Sequence, residues 1–237
     1  MKRSLNFAIF IKNQIVGSKN KLKRFKENET FSNVIQPDRL SLMNSDFSLK
    51  GKWSSEFFKN EAPIVLELGC GKGEYSLYLA EHYPYKNHIG IDIKGARFWR
   101  GAKTALEKDL KNVAFLRTQI ELINCCFAKG EVDEIWITFP DPQIKYKRTK
   151  HCLTHPKMLQ DYKRIIKAKG IIHLKTDSEF LFGYTLGTVT QIGELLYAHH
   201  DIYSNTQVPK EATAIQTFYE QIFLKDNKAI KYIQFRL

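Results

Sequence analysis

A chain of 237 residues, 43% apolar and 26% charged, has the size and balance of one folded domain with a short extension, which excludes wholesale disorder. Lys and Arg number 37 against 25 Asp and Glu, and the net charge of +12 points to a polyanionic partner, nucleic acid or an anionic membrane surface. The four cysteines, Cys70, Cys125, Cys126 and Cys152, form no C-x-x-C pair, and no Cys/His cluster has metal-ligand spacing, so a reduced cytoplasmic protein without metal is expected.

Residues 1–62 lack strong periodicity and carry a dense basic run, Lys19, Lys21, Lys23, Arg24 and Lys26. They read as a basic N-terminal arm, partly flexible, ahead of a domain over residues 63–237. Lys2 and Arg3 precede a short apolar run, Leu5 to Ile11, but no small-residue cleavage site follows and a signal peptide is not expected. No apolar stretch approaches the roughly 20 residues that span a bilayer, so no membrane partner is expected.

From Pro63 onward short apolar runs alternate with amphipathic stretches, the signature of a parallel α/β sheet. Strands are predicted at Ile64–Leu68, His88–Ile93, Val113–Arg117, Val132–Thr138 and Ile171–Thr176. Helices are predicted at Glu74–His82, Ala96–Lys108 and Pro156–Lys167. Leu196–Tyr203 and Ile230–Leu237 read as two last strands, with a helix over Ala212–Leu224 between them. Seven strands alternating with helices predict a doubly wound fold whose ligand crevice opens at the carboxyl ends of the strands.

The first strand runs into Glu67-Leu68-Gly69-Cys70-Gly71-Lys72-Gly73. Gly69, Gly71 and Gly73 let backbone approach a ligand closely at the start of a helix whose first N–H groups are unpaired. This is not a dinucleotide fingerprint: the third glycine arrives one residue early and Glu74 takes its place. A pyrophosphate would be repelled by Glu67 at the lip, whereas a sulfonium cofactor with an amino-acid ammonium would be attracted. Asp92 closes the second strand, where acidic residues reach ribose hydroxyls.

The fourth strand leads into Phe139-Pro140-Asp141-Pro142, in which two prolines hold the backbone on either side of Asp141. Lys145, Lys147, Arg148, Lys150 and His151 follow, interleaved with Tyr146. Taken alone this is a solvated loop; directly after a candidate catalytic carboxylate it suits phosphate contacts and base stacking.

The segments VLELGCGKGEYS, HIGIDIKGARFW, ITFPDPQIKYKRTKHCLTHPKML, LKTDSEF and TFYEQIF, in this order, resemble the bacterial tRNA (guanine-N7)-methyltransferase family from about Lys19 to the C-terminus. The resemblance implies a Rossmann-like class I S-adenosylmethionine-dependent methyltransferase with a seven-stranded, mostly parallel sheet and helices on both faces. It implies transfer of a methyl group from S-adenosylmethionine to N7 of the variable-loop guanine of tRNA; the sequence leaves monomer and homodimer both open. Residue by residue it implies cofactor contacts at Glu67, Asp92, Gln119 and Asp141, with Asp141 also catalytic. It implies substrate contacts at Lys145, Asp177, Thr217 and Glu220, and likens Leu22–Pro37 to the family's tRNA-contacting N-terminal region. Two positions depart from the pattern: Gln143 stands where the family has Trp, and Gln119 where it has Asp or Asn. Residues 1–17 match nothing in it.

Without the resemblance, Asp177 reads as an N-cap and Thr217 with Glu220 as an ordinary helix-surface pair. The rival functions are another class I methyltransferase acting on rRNA, protein or a small molecule, a nicotinamide oxidoreductase, and a non-catalytic RNA-binding module. Guanine N7 carries a lone pair and no proton, so the expected chemistry is positioning and charge stabilisation without a general base.

Overall fold

The computed structural model describes residues 20–44 and 47–237. Lys19 of the basic run and the unmatched residues 1–17 lie outside them.

The centre of the molecule is a sheet whose inner strands are buried on both faces. β2 (Ile64–Leu68), β3 (Asn87–Ile91) and β4 (Val113–Leu116) are buried at every position. That is why they read as continuous apolar runs rather than as alternation. β5 (Val132–Thr138) and β6 (Ile166–Thr176) extend the sheet, and β7 (Glu194–His199) and β8 (Lys231–Arg236) finish it. The sequence predicts seven strands. The sheet has eight, because Val34–Ile35, here β1, pairs parallel to β4 beyond the expected edge. The order is β1-β4-β3-β2-β5-β6-β8-β7, parallel except for β8, which runs antiparallel to both β6 and β7. A two-residue strand carries no periodicity, so it was invisible in the sequence.

Pleating splits the core. Leu66, Leu68, Ile89, Ile91, Ile135 and Ile137 pack on one face, beneath α6 (Pro156–Ile165) and α7 (Glu179–Ile192). Val65, Trp136 and Tyr232 pack on the other against Tyr75 of α3 (Glu74–His82). α4 (Gly95–Glu107) covers β4 through Phe98, stacked on Phe115 at 5.7 Å.

The N-terminal region is joined to this domain from α1 (Lys21–Asn28) onward. Asn28 donates to Gly95 O at 2.9 Å and Asn33 to Ala102 O at 3.0 Å, which seats the region on α4. α2 (Arg39–Met43) follows, with Asp38 as its cap. One wide helical turn, Trp53–Phe58, then buries Trp53 flat on Phe127 at 5.4 Å, with its indole N–H donating to Cys126 O.

The helix expected over Ala212–Leu224 is two helices, α8 (Lys210–Ala214) and α9 (Phe218–Lys225). The chain is extended between them because Thr217 leaves helical geometry to cap α9. Its hydroxyl accepts from Glu220 N while the Glu220 carboxylate accepts from Thr217 N, a capping box. A short α5 (Ile123–Cys126) lies between β4 and β5.

Candidate active site at the carboxyl edge of the sheet

Glu67 shares the face of Val65 and stands beside Trp136 on β5. Its carboxylate accepts from Ser76 N at 2.9 Å, Ser76 Oγ at 2.6 Å and Thr138 Oγ1 at 2.8 Å. The side chain is therefore not at a lip, as the sequence suggested, but in the floor of a cleft, 4% exposed. Burial drives its pKa from 4.5 to about 7 against the lowering effect of those hydrogen bonds. A buried carboxylate that has not been paired with a cation is a site that gains from receiving one.

The turn above it is built from glycine conformations. Gly69, Gly71 and Gly73 have φ of 76°, 56° and 76°. A Cβ at Gly69 would meet nothing within 4 Å, so this position leaves room at the cleft. A Cβ at Gly73 would come within 2.5 Å of the Phe115 ring, so that glycine serves helix–sheet packing instead. Gly69 N and Cys70 N both donate to Ile91 O, at 2.8 and 3.0 Å, and tie the turn to β3. Asp92 completes the anchoring: it accepts from Gly71 N at 3.1 Å and from Lys94 N at 2.7 Å.

Two hollows open along this edge. The first, about 100 Å³, is lined by Glu67, the glycine turn, Arg97, Thr138, Phe139 and Thr217-Phe218-Tyr219. The second, about 420 Å³, lies at the end of β4 and includes Ile93, Thr118 and Gln119. Neighbouring strands are about 4.8 Å apart, so the ends of β2 and β4 are roughly 10 Å apart, with Asp92 at the end of β3 between them. The edge therefore presents a buried carboxylate and open backbone at one end, Asp92 in the middle and a larger hollow at the other end.

The segment after β5 is the strained part of the edge. Phe139 holds φ at 47° and Gln143 at 50°, left-handed values that are costly for side-chain-bearing residues. Phe139 N donates to Lys175 O at 2.8 Å, which fixes the kink to β6. Asp141 is exposed, and its carboxylate accepts from Gln143 N at 3.1 Å. It stands at the rim and lines neither hollow. Lys145 and most of the short 3-10 helix Tyr146–His151 are also exposed, with Tyr146 95% accessible.

The remaining sequence candidates divide. Thr217 lines the first hollow. Glu220 is fully buried, paired with Lys175 at 2.8 Å and accepting from Tyr203 at 2.7 Å, so it is not the surface residue that helical spacing implied. Asp177 is half-buried, with Lys228 at 3.5 Å from its carboxylate. It is not the N-cap of α7; Ser178 is.

Sequence reasoning missed Ser76 and Thr138, the partners of Glu67, and Lys175, the partner of Glu220. Thr138 was findable as the second residue after Trp136 on the same strand face. Lys175 carried a signal too, since a lysine inside an apolar strand requires a buried partner. Its own pKa is pushed down by burial, with the Glu220 carboxylate opposing. Among the described residues no group of three or more His, Cys, Asp or Glu is arranged to hold a metal, and no helix is long and apolar enough to cross a membrane.

Comparison with known proteins adds to the geometry. Residues 61–233 match a family described as "Putative methyltransferase". A protein of Christiangramia forsetii named tRNA (guanine-N(7)-)-methyltransferase is 68% identical over 223 residues, 94% of this chain and 100% of that protein. One of the same name from Bacteroides fragilis is 47% identical over 92% of this chain and 86% of its own length. Among solved structures, the 16S rRNA methyltransferase KamB covers 77% of this chain and 91% of its own at TM-score 0.60 and 13% identity. An antibiotic-related methyltransferase covers 81% and 96% at TM-score 0.59 and 16% identity. At those identities the two structures establish the fold alone, and it is the class I methyltransferase fold.

Proposed function

The chain belongs to the tRNA (guanine-N7)-methyltransferase family, and from that premise we infer that it transfers the methyl group of S-adenosylmethionine to N7 of a guanine in tRNA. The observation that carries the reading is the buried Glu67 carboxylate, which has no ion-pair partner among the described residues, beneath an open glycine turn, with an exposed Asp141 and a run of exposed cations following the neighbouring strand.

S-adenosylmethionine supplies a methyl group on positively charged sulfur. Asp92 holds the glycine turn against β3; when the cofactor binds, Glu67 would favour its ammonium end, Asp92 would accept from its ribose hydroxyls, and Gln119, which lines the larger hollow, would offer an amide to its ring. Asp141 needs no proton from the target, because N7 presents a lone pair to the incoming methyl. Its role is to accept from the purine's N–H groups and to offset the positive charge that the ring acquires. The strained backbone at Phe139 and Gln143 supports a positioning role, since such conformations persist where a side chain must be held at one angle. Lys145 and its neighbours supply salt-sensitive phosphate contacts. Asp177 and Thr217 belong on the substrate side, and Glu220 contributes there by fixing Thr217 through the capping box. A tRNA acceptor supports a cytoplasmic setting for this work.

The deciding experiment is methylation of an unmodified tRNA transcript followed by borohydride–aniline cleavage, which cuts at N7-methylguanine. Strand scission at one guanine is expected. Label incorporated into rRNA offered in parallel, and none into tRNA, would replace this function with another RNA methyltransferase activity.

A further inference from the structure

The larger hollow has two walls of different origin. Ile93, Arg117, Thr118, Gln119 and Leu122 come from the ends of β3 and β4. Gln36, Pro37, Asp38, Arg39 and Leu42 come from the N-terminal region, carried there by β1. The placement is firm: Phe115 N donates to Asn33 O at 2.8 Å and Arg117 N to Ile35 O at 2.8 Å, one residue before Gln36. The side wall is not free to drift unless this edge pairing opens.

The polar groups of the N-terminal wall are not equivalent. Asp38 is engaged as the cap of α2, accepting from Leu40 N at 2.9 Å and Ser41 N at 3.1 Å. Gln36 is different. Its side-chain oxygen is shielded from solvent and has no hydrogen-bond partner among the described residues. A buried carboxamide oxygen without a partner is costly, and a ligand donor arriving in the hollow removes the cost. The terminal torsion of glutamine is broad, so the carboxamide can turn to meet such a ligand.

We propose that Gln36 reads the amino-substituted edge of the cofactor's adenine, across the hollow from Gln119. A carboxamide presents one acceptor and one donor side by side, which matches the N6 amino donor and N7 acceptor of adenine. A six-keto purine offers two acceptors there and cannot satisfy both partners. The N-terminal region is thus part of the cofactor site, although the sequence separates it from the domain that starts at residue 63. This inference rests on the methyltransferase reading and deepens it.

The test measures affinity by calorimetry, without turnover, for S-adenosylhomocysteine and S-inosylhomocysteine. Wild-type protein prefers the adenine compound by about tenfold or more, the range of a buried group left unpaired. Gln36→Leu reduces that preference to about threefold or less. Gln36→Glu, which still accepts from the amino group but can only repel a keto oxygen, widens the preference beyond wild type. Melting temperatures without ligand report whether each variant is folded. A folded Gln36→Leu with wild-type preference overturns the proposal and leaves the methyltransferase reading intact. If Gln36→Leu does not fold, Gln36→Glu decides, and a preference unchanged or lost in that variant overturns it. Wild-type protein that binds neither compound overturns both this inference and the function it rests on.

Discussion

Two stretches of the same sheet edge, at the ends of the neighbouring strands β2 and β5, are built on opposite principles. The Glu67 carboxylate is buried and hydrogen-bonded within the chain, to Ser76 and to Thr138, beneath a glycine turn that is tied to β3. From Asp141 to His151 the charged groups face water, and the cations of Lys145, Lys147, Arg148 and Lys150 stand exposed. The contrast follows from the two ligands. A small cation is held by a few fixed groups in a low dielectric, where each is worth more. A large polyanion is held by many exposed charges, each worth little and all weakened by salt.

The sharpest way to break the buried side is to remove one half of its ion pair. Lys175→Ala leaves the Glu220 carboxylate unpaired where both side chains are 0% exposed, and about 3–5 kcal/mol of stability is expected to be lost. Urea denaturation reads this directly, and a loss under 1 kcal/mol would mean that the pair carries no stability. Asp141→Ala tests the opposite side. Turnover on tRNA transcript should fall roughly 100- to 1000-fold, far more than S-adenosylhomocysteine affinity, with melting temperature unchanged because the residue is exposed and bonds only locally. Wild-type turnover in that variant would remove Asp141 from the chemistry.

Glu67 gives a pH signature. Its folded-state pKa of about 7 lies above the 4.5 of an unfolded carboxylate, so the folded protein keeps a proton that the unfolded chain releases. Its contribution to stability is complete below pH 4.5 and is lost as pH rises to about 7, a change of about 3 kcal/mol. Over the same window affinity for a cationic ligand should rise, as the carboxylate ionises. Glu67→Gln should flatten both trends, and a variant with wild-type pH dependence would show that another group is responsible. The smallest effect is expected at Lys145. Replacing it with alanine should lower the slope of log affinity for tRNA against log salt by about 1, with folding unaffected. An unchanged slope from filter binding would make it plain surface.

Much of the fold was legible because both-sided burial writes itself into the chain as apolar runs. β2 and β5 match their predicted bounds, as does α3. The last third was less legible. The break between α8 and α9 depends on Thr217 and Glu220 exchanging hydrogen bonds, and helical spacing describes such a pair equally well as a surface contact. β1 was unreadable for a different reason: two residues joined to β4 by tertiary pairing have no pattern of their own.

The sequence by itself determined the strand–glycine–helix turn, the acidic residues Glu67 and Asp92 at adjacent strand ends, and the proline-flanked Asp141 followed by cations. These are local features, set by neighbours in the chain. Only the tertiary structure decided that Glu67 lies in a floor rather than at a lip, that Glu220 is buried against Lys175, and that Gln36 meets the hollow at Gln119. Burial and partnership are properties of the space between elements. They arise when strands far apart in the chain are laid side by side, and no short window of residues contains them.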